Sequence, residues 1–231
     1  MAFNAMTRSP EFLLWEAGWY TQNQLAVEEM HTMIHEYWSG EQEGFRAAYT
    51  GLQDAERALV AARAHRDRQK FKMRGSARLF AEQLIQVGGG NPKSDVYTRY
   101  FEDGYGIYGR VTLERQLELA QSVLVCLDSE ANETVKAAGE PFRAAVETAR
   151  SALADYQAKE QVLADAKATM HAARIQWRGA YRKVAADLRS LHTDDPRYVS
   201  SFFLSPPRKK KGTGEVDVVV DAVDEGSNAT A

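Results

Sequence analysis

A glutamate and a histidine three residues apart on a helix lie on one side, the pairing by which di-iron bundles hold their metals. The chain contains Glu28-Glu29-Met30-His31, with His35 one turn further on. Such a site needs a second Glu-x-x-His, and the other histidines lack it: Ala62 precedes His65, Ala168 precedes His171 and Arg189 precedes His192. Partly exposed helix histidines are therefore expected, and no metal. The single cysteine, Cys126, lies among apolar residues in SVLVCLDSE and reads as a core thiol with no internal disulfide partner. Gly88-Gly89-Gly90-Asn91-Pro92 lacks the Lys-Ser/Thr and the helix start of a phosphate loop. No catalytic constellation and no cofactor are expected, so the chain reads as a non-enzyme.

Basic residues offer a second chemistry. Between Ala61 and Phe80 stand Arg63, Arg66, Arg68, Lys70, Lys72, Arg74 and Arg78 against one acid, Asp67, and the tail adds Arg208, Lys209, Lys210 and Lys211. Arg66, Arg68, Lys72, Arg74 and the four tail cations are the candidate phosphate contacts of a nucleic-acid-associated protein. Against this, the helix cations point all round and can offset the acids Glu11, Glu16, Glu28, Glu29 and Glu36. A net charge of −3 excludes polyanion binding by bulk charge.

These residues sit on long helices. Ser9-Pro10-Glu11 starts the first, expected to run to Trp38 and stop at Ser39-Gly40; the second covers about residues 41 to 87 and ends at the triple glycine. A third covers about 111 to 136, stopping near Gly139, and a fourth about 141 to 191. In the fourth, Phe142, Ala149, Tyr156, Leu163, Met170, Trp177, Val184 and Leu191 keep a seven-residue spacing, a coiled-coil seam. The second helix repeats the design. FRAA recurs at Phe45 and Phe142, an offset of 97 residues, and Arg-Gly recurs at Arg74-Gly75 and Arg178-Gly179, an offset of 104, one heptad more. The chain thus reads as all-α: an extension (1–9), a first helical hairpin with an aromatic connecting loop (10–109), a second hairpin (110–204) and a disordered tail (205–231). The two hairpins are expected to form an elongated four-helix bundle, with a second subunit in a homodimer as one way to complete it. Glu56, Arg63 and Lys70 fall at seam positions and match Glu160, Lys167 and Arg174 in the same order of sign. An antiparallel pairing would bring Glu56 to Arg174 and Lys70 to Glu160; the alternative is a straight helix that drifts off the seam and leaves all six in solvent.

Trp38, Gly40 and Phe45 form a Trp-x-Gly motif followed by an aromatic residue. Over about residues 10 to 90 this resembles the WXG100 (ESAT-6-like) family, whose hairpins turn at that motif and pair into four-helix bundles. The resemblance implies a partner or substrate of type VII secretion, exported without a cleaved signal peptide. The second hairpin has Val135, Lys136 and Ala137 in the aligned places, and the family's Tyr-x3-Asp/Glu tail signal is missing after the second helix. No signal peptide is recognisable, and no apolar run approaches the ~18 residues of a membrane span, so a cytoplasmic location is expected. The leading expectation is a helical scaffold or adaptor acting through protein–protein contacts.

Overall fold

The computed structural model describes residues 9–204. The expected disordered tail, with Arg208, Lys209, Lys210 and Lys211, lies outside the described residues, as do residues 1–8. Within them every regular element is helical. A π-helical segment, Phe12–Gly18, leads directly into α1, Trp19–Leu25. A 3₁₀ turn, Glu29–His31, precedes the long α2, Thr32–Val87. The connector after it carries α3, Asp95–Thr98, and a 3₁₀ turn, Tyr105–Gly109. Then come α4, Leu113–Asp128, the long α5, Glu133–Leu191, and α6, Pro196–Ser201.

Both expected interhelix turns move. Trp38-Ser39-Gly40 lies inside α2 and marks no turn; the chain reverses at residues 26–31 instead. One helix-interior glycine costs about 1 kcal/mol, less than the burial of Trp38 and Phe45 on one face of the continuous helix returns. In the second half the reversal lies at residues 129–132, where the Asn132 side chain accepts from the backbone N–H groups of Thr134 and Val135. α5 then runs straight through Gly139 and Pro141. Gly139 serves contact: a Cβ there would stand 2.5 Å from a Leu127 methyl, so its absence lets α4 lie close against α5.

The two long helices pack on each other antiparallel. Trp38, near the start of α2, has its ring 5.2 Å from that of Trp177 near the end of α5, while Phe80 stacks at 6.0 Å on Phe142 at the other end. Two hydrophobic cores result, one at each end of the pair, and each draws on both halves of the chain. One joins Met73, Phe80 and Leu84 of α2, Tyr97, Tyr100, Phe101 and Tyr108 of the connector, Leu113 and Leu124 of α4, and Phe142 and Val146 of α5. The other joins Leu13, Leu14 and Leu25, Trp38 and Phe45 of α2, Trp177, Val184 and Leu188 of α5, and Val199, Phe202 and Phe203 at α6. The ends correspond part by part: a short helix, the front of one long helix, the back of the other, and the segment that follows it. The connector aromatics are packed, as five aromatics in one loop would require. Between the cores, among the described residues, α2 and α5 run alone as a two-helix waist.

Candidate functional site

At the core of Trp38 and Trp177 the side chains are fixed by a buried polar chain. The indole N–H of Trp177 donates to Gln42 Oε1 at 2.6 Å, Gln42 Nε2 donates to the Leu14 carbonyl at 2.6 Å, and the Trp38 indole donates to the Gly18 carbonyl at 3.1 Å. Both accepting carbonyls belong to the π-helical segment. Gly18 is required there, because a Cβ would fall 2.3 Å from the Gln42 amide. Burial of Tyr181, stacked at 5.0 Å on Trp177, pushes its phenol up to about 12. Trp38 and Phe45 are thus structural anchors, and Gly40 is exposed with nothing within 4 Å of the Cβ it lacks. Gln42 escaped the sequence reading; its signal was a polar side chain one helical turn from Trp38, on the buried face.

The charged seam is not a seam. Gln176 bonds Glu41 at 2.9 Å and Trp177 bonds Gln42, so Arg174 stands opposite the stretch near Phe45, about three turns from Glu56. The expected Glu56–Arg174 and Lys70–Glu160 pairing belongs to a different register. A straight helix drifts about 20° per heptad, and the drift carries the buried stripe onto Ala55, Ala62 and Gln69. Glu56, Arg63, Glu160 and Lys167 are exposed, and Lys70 and Arg174 half-buried at the edge.

The waist that these charges flank holds an open apolar groove of about 640 Å³. Gly44, Ala47, Ala48, Gly51, Ala55 and Ala58 line it from α2, and Val162, Ala166, Thr169 and Ala173 from α5, with Asp54 and Lys159 among them. Val162 is about half exposed there. Small residues on both helices leave backbone accessible to a third element.

The basic part of α2 is partly neutralised within the chain. Arg66 bonds Asp67 at 2.7 Å and lies 4.1 Å over the Tyr156 ring, and its charge, with that of Lys70, helps hold the Glu114 carboxyl below its ordinary range, after the backbone bond that Glu114 accepts. Arg68, Lys72 and Arg74 are exposed and make no ion pair among the described residues. The expectation of partly exposed helix histidines fails for His31. It is fully buried at the foot of α2, its Nε2 2.8 Å from the Nε2 of His192, a contact spanning 161 residues. Tyr198 of α6 donates its hydroxyl to Glu28 at 2.5 Å beside them. Among the described residues no group of three or more metal-ligating side chains converges, and no helix is long and apolar enough to cross a membrane. Cys126 is half-buried, its thiol directed at the Arg99 carbonyl at 3.8 Å.

Set beside known proteins, the chain matches no family model, no curated protein and no solved structure.

Proposed function

We propose that this protein is a non-enzymatic helical scaffold that works through protein–protein contacts made along the waist of the α2–α5 pair. The observation that carries this reading is the apolar groove between Gly44–Ala58 and Lys159–Ala173, a surface that the described residues leave uncovered beside the core of Trp38 and Trp177. Its small side chains let another helix approach closely, and a partner or a second copy laid into it would complete a bundle of the four-helix kind. The rigid ends hold this surface in place along about 80 Å of helix.

The test fills the groove. Nothing stands within 4 Å of the Cβ that Gly51 lacks, so Gly51→Leu combined with Ala166→Leu closes the groove while α2 and α5 keep their shared seam. Wild-type and filled chains are compared by pull-down from native cells and by light scattering. A partner, or a dimer, formed by the wild type and lost by the filled chain supports the proposal. Identical partners and identical mass for the two chains overturn it.

A further inference from the structure

A different surface carries a ligand chemistry that the scaffold reading does not use. On the outer side of α2, Phe71, Arg74, Gly75 and Arg78 face Tyr105 of the connector around a recess of about 450 Å³. Phe71 is 73% exposed, which for a phenylalanine amid cations is a ring presented to solvent with no packing role. Arg74 has no ion-pair partner among the described residues, and Arg78 meets only Glu82, at 3.8 Å, both side chains about half exposed. The Arg74 guanidinium lies against the loop, so close to Gly109 that a Cβ there would be 2.8 Å from its central carbon. Gly75 forms the floor, and nothing stands within 4 Å of the Cβ it lacks. A glycine inside a helix costs stability, and no neighbour of Gly75 requires one.

The same arrangement of residue types recurs in the second half of the chain. Ile175, Arg178, Gly179 and Arg182 stand 104 residues after Phe71, Arg74, Gly75 and Arg78. Ile175 is 58% exposed, and Gly179 again has open space where its side chain would be. An exposed apolar residue, an arginine, a bare backbone and a second arginine one turn on thus occur on both long helices, although packing asks for neither glycine.

We propose that the recess at Phe71, Arg74, Gly75, Arg78 and Tyr105 binds a nucleotide phosphate, the base lying on the Phe71 ring across Gly75 and the phosphate held between the two guanidiniums. Guanidinium forks match phosphate oxygens in charge and geometry, and aromatic faces take up bases of any sequence. The flat floor explains the glycine: a planar ring lies flush on backbone where a side chain would lift it away. An acidic peptide would use the arginines but not the flat floor, which favours the nucleotide. The phosphate and base can come from a free nucleotide or from a single strand of nucleic acid.

The experiment titrates the full chain with inorganic phosphate, adenosine monophosphate, single-stranded oligo(dA) and polyglutamate, by calorimetry and fluorescence anisotropy. The mononucleotide should bind at least about fivefold more tightly than phosphate, the share that stacking adds. Gly75→Leu should weaken it at least about tenfold, with thermal unfolding unchanged or raised because the added side chain meets no neighbour, and Arg74→Gln should weaken phosphate and nucleotide alike. Oligo(dA) binding more tightly than the mononucleotide, with a steep salt dependence, identifies the strand as the source; preference for the mononucleotide identifies the free ligand; both support the site. A mononucleotide that binds no better than phosphate, an indifferent Gly75→Leu chain, or polyglutamate matching the nucleotide overturns it. The groove-filled chain should keep its nucleotide affinity, so failure here is distinct from failure of the scaffold reading.

Discussion

Two residues show how burial sets consequence. Trp38 is wholly enclosed, touches Trp177 and Tyr181, and donates its indole N–H to Gly18. Trp38→Ala is expected to cost about 3 kcal/mol or more in urea unfolding, the range for truncating a large core aromatic; a loss under about 1 kcal/mol would mean that its core repacks without it. His31 makes its contribution through protons. Its Nδ1 is buried with no hydrogen-bond partner, so the cheaper tautomer donates from Nε2 to His192 and leaves only a lone pair unsatisfied. Burial holds the His31 imidazole below its ordinary value of 6.5, with Glu28 opposing the shift and His192 reinforcing it. Above 6.5 folded and unfolded chains bind the same number of protons at this site. Below it the unfolded chain takes up a proton that buried His31 refuses, so stability falls with pH until the lower, folded value is passed. Urea unfolding at about pH 7.5 and about pH 5.5 should show that loss, and His31→Leu should flatten it.

At the scale of elements, the glycines separate packing from propensity. Gly40 faces open solvent inside α2, and Gly40→Ala is expected to raise stability by up to about 1 kcal/mol in thermal unfolding, as for an ordinary helix-interior position. Were the chain to turn at Gly40, the same change would destabilise it. Gly139→Ala drives a methyl into Leu127 and should cost about 1–3 kcal/mol. The long helices fix a further expectation. Glu56 and Arg174 are about three turns apart, so Glu56→Lys and Arg174→Glu should add to within about 0.5 kcal/mol in a double-mutant cycle; a large coupling would mean a different register. These cases show what was readable beforehand. Helical content and the two long arms follow from seven-residue spacing, a local property of the chain. The turn positions are not legible locally, because Gly40, Gly139 and Pro141 look like breakers and only the packing of α4, α5 and the π-helical segment overrides them. The drift from Glu56, Arg63 and Lys70 to Ala55, Ala62 and Gln69 is a fraction of a turn per heptad, below what spacing resolves. The His31–His192 contact joins residues brought together only by the antiparallel reversal of α2 and α5.

At the scale of the whole molecule, two cores are joined by a waist with few buried side chains, Ala55, Ala62 and Gln69 on α2 and Ala152 on α5 among them. Amides of the cores, held by many apolar contacts, should exchange with deuterium more slowly than those at the waist centre, where opening exposes little surface. Uniform protection along α2 and α5 would show that the waist is covered in solution.

The part-by-part correspondence of the two ends has an implication for how such a chain could arise. Neither half encloses a core by itself, since each core takes a short helix and the front of a long helix from one half and the back of a long helix from the other. A gene encoding one half would have made a polypeptide obliged to find its twin, two copies clasping antiparallel about a two-fold axis, as isologous dimers do. Joining two copies through the connector would turn an encounter between molecules into a closure within one, and free each end to diverge: Trp38 and Gln42 stand at one, Val135 and Gly139 at the equivalent places of the other. Such a partnership should be recoverable from the two halves. Fragments 1–110 and 111–231, made separately, are expected to be poorly folded alone and to regain full helicity on mixing in equal amounts, with a midpoint that rises with concentration.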